Sequence, residues 1–422
     1  MDRRTTLKLA ALAALGAANT AAVQPKKPPV STTRNVLFKR WNSDAELSTG
    51  TLAGLALAGG ALTISAPVGQ RSFTDPVTGT SGTYDYATWT SPMLPVGFTA
   101  TEAIASWTAS TPGGTWLEIR LRGVTQLGNT TKWYIMGVWA ADDTEITRTS
   151  VSLQGDTDGF VSVDTFVAAE GHAVTSVQVE VALYRPAGTT QTPQVRSMGM
   201  MASQLPEPGS VAASTPALAQ GVVLPVPQYS QHLHDGHYPQ WDNGGEAWCS
   251  PTSTSMVVAH WGTGPTPADY AWVDPSFADP WVDYAARNTF DYTYSGCGNW
   301  PFNSAYAGRF GLEGFVTRLR SLNEAEKFIA AGIPLVLSLS FKKGKIPGLS
   351  YGTNGHLLVL VGFTATGQPV LNDPAAVDNP AVRKIVGRAE FEAAWLDTSG
   401  GITYVIHPSS VSLPTPPGQA NW

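Results

Sequence analysis

The sequence predicts a multidomain protein in which an all-β sandwich of the jelly-roll type precedes an α+β domain. The chain has 422 residues, and at roughly 100–200 residues per domain this length favours two folded domains. Short apolar runs between Gly, Pro, Asp and Thr clusters dominate residues 35–205, whereas helical and strand patterns mix in residues 221–408. A stretch rich in Pro, Ala and Ser, residues 206–220, separates the two regions and is predicted to be a linker.

The first residues have the features of an export signal. Arg3 and Arg4 precede an Ala- and Leu-rich run at residues 9–18, and small residues follow. A charged segment, a short apolar segment and a small-residue cleavage site are typical of a secretory signal peptide. The paired arginines resemble a twin-arginine signal, but Thr6 replaces the usual aromatic residue, so both export routes stay open. We therefore expect residues 1–22 to be a signal peptide and the mature protein to be secreted.

Residues 23–34 are proline-rich and are predicted to be a linker after the signal.

The composition argues against several functional classes. The formal net charge is -6, so the chain lacks the basic character of nucleic-acid-binding proteins. No stretch after the signal is both long and apolar enough for a membrane-spanning helix, which needs about 20 residues. We expect neither a nucleic-acid partner nor a membrane span once the signal is removed.

The region 35–205 is predicted to form the β-sandwich. In residues 116–122 apolar and charged side chains alternate, which is the pattern of a strand with one wet face. Helical periodicity is almost absent, which favours a sandwich of the jelly-roll type. The predicted strands lie within residues 52–64, 116–121, 132–139, 145–153, 159–167 and 175–184.

Four tryptophans in this region, Trp107, Trp116, Trp133 and Trp139, allow two interpretations. Exposed indole rings could stack on sugars, and the domain would then contact a cell wall or a polysaccharide. Alternating aromatic residues more often fill a core. Both interpretations stay open at this point, as does a role in shielding or positioning the second domain.

The second region is predicted to mix helices and strands. One helix begins at Cys249, and another follows Ser321, which with Glu324 forms a capping-box pattern. The second helix is expected to stop at Gly332. The predicted strands are residues 334–341, 357–363 and 369–372. The proline-rich tail, residues 409–422, is expected to be loose.

Cys249 is the candidate nucleophile. Pro251 fits the first turn of a helix that starts at Cys249, because the missing N–H of proline is harmless there. Unpaired N–H groups at a helix start stabilise a thiolate, which is the nucleophilic form of cysteine. The chain has two cysteines, so a buried inert thiol and a bridge between Cys249 and Cys297 are the alternatives.

His356 is the candidate general base and Asp373 the acid that would orient it. His356 opens a strongly apolar strand, and a hairpin through Gly367 would bring Asp373 back beside the imidazole. Such an acid fixes the tautomer of the base and stabilises its protonated form. The alternatives are a core histidine and an aspartate that only forms a turn before Pro374.

Gln231 is the candidate donor to an oxyanion. Its amide lies upstream of the nucleophile and could act together with the backbone N–H of Cys249. A surface-loop glutamine is the alternative interpretation, and Gln228 is the second candidate for the role.

Four segments together resemble the C39-like family of papain-fold cysteine peptidases. They occur in the family's order and lie within residues 221–408: VPQYSQ at 226–231, WCSPTS at 248–253, GHLLVLVG at 355–362 and NDP at 372–374.

The resemblance implies a papain-like α+β domain. It also implies Cys249 as nucleophile, His356 as base, Asp373 as orienting acid and Gln231 as oxyanion-hole donor. Where the family commonly has Cys-Gly-Pro, this chain has Cys249, Ser250 and Pro251, and a helix start tolerates the serine. No transporter domain is attached, so leader-peptide processing is not implied.

The function expected from these residues is hydrolysis of peptide bonds in a peptide or protein substrate, without a cofactor. An amidase acting on cell-wall peptides is the enzymatic alternative. A catalytically inert secreted protein that binds glycans is the alternative outside enzymes.

One further motif, HLHDGH at 232–237, is rich in histidine. Its three histidines, His232, His234 and His237, could bind zinc. The aspartate falls one place early for a metallohydrolase pattern, so a polar loop is the preferred interpretation. We expect no metal site here.

Overall fold

The computed structural model describes residues 33–422, which form two compact units. One unit contains residues 33–205, Asp291–Tyr294 and Trp422, and the other contains Pro206–Phe290 and Ser295–Asn421. The expected signal peptide and nearly all of the linker after it lie outside the described residues. Within residues 33–422, no helix has both the length and the apolar character needed to cross a bilayer.

The first unit is built almost entirely from strands. Besides the short helix α1 (Asp44–Leu47), it contains two seven-stranded antiparallel sheets. The strands are β1 (Asn35–Trp41), β2 (Thr51–Ala53), β3 (Leu55–Leu57), β4 (Leu62–Ile64), β5 (Gly69–Thr74), β6 (Ser81–Thr90), β7 (Leu94–Ala100), β8 (Glu102–Ser110), β9 (Trp116–Thr125), β10 (Tyr134–Trp139), β11 (Gly159–Ser162), β12 (Thr165–Ala168), β13 (Val174–Pro186) and β14 (Gln194–Gln204).

Each sheet is organised around long strands. One sheet has the order β11-β12-β8-β14-β4-β3, and β1 also pairs with β14. The other has the order β10-β9-β13-β6-β2, with β5 beside β6 and β7 beside β13. The long strands bury alternate or nearly all side chains, as expected for sheets that share an apolar core.

Three of the predicted strands differ in the structure, and one of them, residues 159–167, forms the two short strands β11 and β12 instead. Residues 52–64 contain three short strands because the chain turns twice. The first turn is at Gly54, which has a positive φ of 75° and whose added Cβ would lie 2.2 Å from the Ala66 oxygen, and the second is at Gly59 and Gly60, which also have positive φ. Residues 145–153 were predicted to form a strand and do not. The Thr147 backbone N–H donates to the buried Asp75 carboxylate, and Thr149 pairs with Val138 only as an isolated bridge. Side chains therefore satisfy the backbone there instead of a ladder.

Three of the four tryptophans considered for sugar stacking belong to the core. Trp107, Trp116 and Trp139 are completely buried, so their rings cannot meet a glycan in this fold. Trp116 stacks on Tyr184 with ring centroids 3.8 Å apart. Trp133 is half-buried and lies under the Arg122 guanidinium.

The second unit combines one antiparallel sheet with helices. The helices are α2 (Cys249–His260), α3 (Pro280–Thr289), α4 (Trp300–Ala307), α5 (Leu322–Ala330) and α6 (Arg388–Thr398), with 3₁₀ turns at Gln231–His234, Gly245–Ala247, Gly308–Phe310 and Asn379–Ala381. The strands are β15 (Leu312–Arg318), β16 (Leu335–Phe341), β17 (Thr353–Phe363), β18 (Pro369–Asn372), β19 (Arg383–Ile385) and β20 (Ile402–Pro408). The sheet order is β15-β20-β16-β17-β18-β19.

Local sequence signals explain the ends of α5. The Ser321 side chain accepts a hydrogen bond from the Glu324 N–H, which is the predicted N-cap. The helix ends at Ala330, and Gly332 follows with a φ of 79°. The positive φ suits the glycine because it has no Cβ.

Side-chain hydrogen bonds hold both the predicted linker at residues 206–220 and the end of the tail that was expected to be loose. The Glu326 carboxylate accepts hydrogen bonds from the N–H groups of Ala217 and Ala219 in the proline-rich stretch. The expectation of a loose C-terminal tail is wrong at its end. Asn421 is completely buried, and its amide donates to the Arg318 oxygen at 2.8 Å.

Candidate active site

Cys249 is the first residue of α2. The preceding Trp248 is completely buried, and its carbonyl accepts the Thr252 N–H at 3.0 Å, which begins the helical hydrogen-bond pattern. The first N–H groups of a helix have no partner within the helix and point toward this end. Cys249 is partly exposed, whereas Cys297 is buried, and both are free thiols. The bridge between them that the sequence allowed is therefore absent.

A buried polar face attaches α2 to the central sheet. The Ser253 hydroxyl donates to the Leu357 oxygen at 3.1 Å, and the Ser250 hydroxyl lies 3.1 Å from the Tyr404 hydroxyl on β20. Leu357 is the neighbour of His356 on β17. The bond from Ser253 therefore fixes the helix that carries the thiol against the strand that carries the imidazole.

His356 and Asp373 meet through the predicted hairpin. Strands β17 and β18 pair so that Val359 lies opposite Asn372, and Asp373 follows directly. The His356 Nε2 atom lies 2.8 Å from the Asp373 Oδ1 atom. Both residues are buried, at 4% and 1% exposure. Since Nε2 is engaged by the carboxylate, the ring presents Nδ1 to its second partner, Cys249.

The electrostatics of His356 favour the protonated ring. Burial alone would lower the pKa of this imidazole. Hydrogen bonds to Asp373 and Cys249, with the charges of both groups, outweigh burial and raise the pKa from 6.5 to about 10. At neutral pH the ring is therefore an imidazolium placed between a carboxylate and a sulfur atom.

Asp373 is held by more than the imidazole. Its Oδ1 also accepts the Ala375 N–H at 3.1 Å, and its Oδ2 accepts the Tyr351 hydroxyl at 2.9 Å. Burial would raise the pKa of the Asp373 carboxyl, but the hydrogen bond and charge of His356, with these two donors, keep it below its usual range. Asp373 thus forms the turn before Ala375 and also pairs with the imidazole.

Tyr351 is a site residue that the sequence did not reveal. Its ring stands edge-on to the His356 ring, with centroids 5.8 Å apart. Burial and the Asp373 carboxylate raise the pKa of the Tyr351 hydroxyl, so it stays a donor. No sequence motif marks Tyr351, because only the turn before β17 brings it to the Asp373 carboxylate.

Gln231 is buried at the start of a 3₁₀ turn that leads toward the nucleophile. Its side-chain Nε2 donates to the Glu246 oxygen at 2.9 Å, three residues before Cys249. This approach requires Gly245, because an added Cβ there would lie 2.3 Å from the Gln231 oxygen. A primary amide has two N–H groups, so one N–H of Gln231 is left for another acceptor.

Gln228, the second candidate for the oxyanion role, is engaged elsewhere. Its Oε1 atom accepts the Arg383 N–H at 3.1 Å on the edge strand β19. The Gln231 backbone N–H instead donates to the Pro374 oxygen at 2.9 Å, directly after Asp373. The loop that carries Gln231 is therefore attached to the loop that carries the acid.

The histidine-rich segment separates into two parts. His232 is partly exposed and pairs with Asp235. His234 and His237 both turn toward one carboxylate, that of Asp283 on α3. Their partner lies far along the chain, which is why the motif alone did not identify it.

Two family models match consecutive parts of the chain. The model described as Peptidase C39 N-terminal domain matches residues 37–203, and the model described as Peptidase_C39 like family matches residues 223–402. No curated protein matches the chain. With a free thiol at a helix start and a buried histidine–aspartate pair in the second matched part, the chain belongs to the C39-like peptidase family.

Proposed function

We propose that the protein is a cysteine peptidase that hydrolyses peptide bonds with Cys249, His356 and Asp373. The observation that carries this proposal is the position of the His356 ring, which interacts with the Cys249 sulfur on one side and with the Asp373 carboxylate on the other. The match of residues 223–402 to the Peptidase_C39 like family supports the reaction class.

The proposed reaction is acyl transfer in two steps. The Cys249 thiolate attacks the carbonyl carbon of the scissile bond, and a C–S bond forms as the carbonyl oxygen becomes an oxyanion. The His356 imidazolium then donates its proton to the amine, the C–N bond breaks and a thioester remains. In the second step the neutral imidazole takes a proton from water, the hydroxide attacks the thioester, and the acid product leaves as the thiolate and imidazolium are restored.

Two N–H groups are assigned to the oxyanion. The Cys249 backbone N–H lies at the start of α2, and the second N–H of the Gln231 amide is not used by the Glu246 oxygen. Donors fixed before the reaction stabilise charge that develops in the transition state without reorganisation. Gln231 suits this role because it is 4% exposed and held on both its backbone and its side chain.

The finer fold and the cellular location belong to the same proposal. A helix that begins at the thiol and packs on an antiparallel sheet bearing the base supports a papain-like arrangement. The two antiparallel sheets of the first unit support a sandwich of the jelly-roll type. The charged and apolar pattern of residues 1–22 supports export, and secretion is therefore part of the proposal.

The test is hydrolysis of a mixed peptide library by the mature protein and by three variants. Cys249→Ala and His356→Ala are expected to release no new amino termini above background. Cys297→Ser is the matched control, because it removes the other thiol, and is expected to stay active. Full hydrolysis by Cys249→Ala would overturn the proposal. Release of peptides from peptidoglycan alone, with the library intact, would replace a general peptidase by a cell-wall amidase.

A further inference from the structure

Two imidazoles and one carboxylate form a buried cluster that includes none of the proposed catalytic residues. His234 and His237 come from the loop that connects Gln231 to Cys249, and Asp283 lies on α3. The side chains of His234 and Asp283 are completely buried, and that of His237 is 12% exposed. The proposed mechanism gives these three residues no task.

Each of the three residues offers a ligand atom, and these atoms lie within 4.8 Å of one another. The Nδ1 atoms of His234 and His237 lie 2.9 and 3.0 Å from the two different oxygens of Asp283. The two rings are nearly perpendicular, with centroids 5.3 Å apart. A tetrahedral zinc ion with bonds of about 2.0–2.1 Å requires roughly 3.3 Å between ligand atoms and roughly 5 Å between such rings. The two nitrogen–oxygen distances and the separation of the rings are close to these values.

The charge balance of the cluster also calls for a cation. Among the residues that the structure describes, no lysine or arginine forms an ion pair with Asp283, and its carboxylate faces the two imidazoles alone. A carboxylate buried this deeply needs a compensating positive charge. Either a proton on one ring or a bound metal ion can supply it.

We propose that His234, His237 and Asp283 bind a divalent transition-metal ion of the zinc class. Two imidazole nitrogens with a carboxylate are donors that suit zinc, whereas magnesium and calcium prefer oxygen donors alone. His237 is the residue through which the ion reaches solvent, because it alone is partly exposed. The fourth coordination position is left for water.

The bound ion cross-links two segments of the fold. It fastens the segment between Gln231 and Cys249 to α3, since two of its ligands lie in that segment and the third lies on the helix. The His234 ring lies 6.0 Å from the Trp248 ring, next to the nucleophile. The outer nitrogen of His234 has no hydrogen-bond partner among the described residues. The site therefore lacks a hydrogen bond behind this imidazole, which is typically worth about 10- to 100-fold in metal affinity.

The experiment is a zinc titration of the full chain carrying Cys249→Ala, after treatment with a chelator. Removing the thiol prevents zinc from binding at the proposed catalytic residues. We expect one zinc ion per chain by elemental analysis, a higher melting temperature with zinc, and no such rise with magnesium. Adding His237→Gln is expected to weaken binding more than the about 10- to 100-fold that loss of a hydrogen-bond partner behind a ligand costs.

His232→Ala in the same background is the matched control, because His232 lies on the same loop but pairs with Asp235. It is expected to keep the zinc. Asp283→Asn is the second ligand variant, and its metal content is measured only on protein that elutes as folded. Zinc binding that survives His237→Gln, or no zinc bound by the parent protein, would show that the three residues form hydrogen bonds only and would overturn the proposal.

Discussion

At the scale of single residues, His356 determines how the proposed chemistry depends on pH. Its pKa of about 10 means that the imidazolium, which must protonate the leaving amine, persists through neutral and mildly alkaline pH. Hydrolysis is therefore expected to remain high up to about that pH and to fall above it as the ring loses its proton. A profile of kcat/KM measured from pH 5 to 11 checks this, and a basic limb near pH 7 would contradict it.

Replacing Asp373 is expected to shift the basic limb of the kcat/KM profile, which is the alkaline range in which activity falls. Asp373→Asn removes the negative charge that helps to raise the pKa of His356 and leaves only a neutral amide oxygen to accept from its Nε2–H, so the limb should appear at lower pH. A limb that moves by about one pH unit corresponds to about 1.4 kcal/mol of lost interaction with the imidazolium. The comparison is the kcat/KM profile of the variant against that of the parent, and superimposable basic limbs would count against the pairing.

Tyr351 is a positioning residue in this scheme, because its hydroxyl donates to Asp373 and forms no hydrogen bond to the reacting atoms. Tyr351→Phe keeps the ring beside His356 and removes only the hydroxyl. A lost hydrogen bond to a charged group costs about 1.5–3 kcal/mol, which sets an upper bound of roughly 10- to 100-fold on the fall in rate. We expect kcat to decrease and KM to stay nearly constant. A change in KM alone would assign Tyr351 to substrate binding.

At the scale of elements, the attachment of α2 to β17 holds the nucleophile and the base together. Ser253→Ala removes the bond to the Leu357 oxygen, and we expect about 1 kcal/mol lower unfolding free energy together with lower kcat. The matched control is Thr252→Val. The buried Thr252 hydroxyl has no hydrogen-bond partner within residues 33–422, so its removal is expected to be neutral or stabilising and to leave kcat unchanged. Denaturant unfolding and steady-state rates measure both effects, and equal losses in the two variants would contradict this role for Ser253.

Several elements could be predicted because their signals are local. The capping box of α5 needs only Ser321 and Glu324, and the hairpin of β17 and β18 needs two apolar runs around a turn. The failed strand at residues 145–153 had the right composition, but the distant Asp75 carboxylate accepts the Thr147 backbone N–H in place of a neighbouring strand. Tyr351 and Asp283 escaped prediction for the same reason, since their partners lie in other segments.

At the scale of the whole molecule, the buried pair of His356 and Asp373 links stability to pH. The folded-state pKa of His356 is raised, so its protonated form stabilises the fold fully below about pH 6.5, and this contribution is lost as pH rises through about 10. The melting temperature is therefore expected to fall between pH 7 and 10 by more in the parent protein than in His356→Gln. Equal decreases in both proteins would show that the imidazole is not the group responsible.

The sequence indicated that a strand-rich region precedes a mixed region, but it did not indicate every residue that belongs to each unit. The units divide at Leu205, where the Pro-, Ala- and Ser-rich stretch begins. Asp291–Tyr294 belongs to the first unit although it interrupts the second along the chain. Amino-acid composition does not mark so short a segment. The unit to which it belongs depends only on which residues lie close to it after folding.

The decisive measurement is the rate at which iodoacetamide labels each cysteine of the folded protein between pH 5 and 9. An ordinary thiol, with a pKa of about 8.5, reacts slowly at pH 6 because little thiolate is present. If Cys249 is paired with the His356 imidazolium, it will be labelled rapidly at pH 6, His356→Ala will abolish this, and the buried Cys297 will stay unlabelled. A Cys249 that reacts only as pH approaches 8.5, at the same rate with and without His356, would contradict the proposed nucleophile.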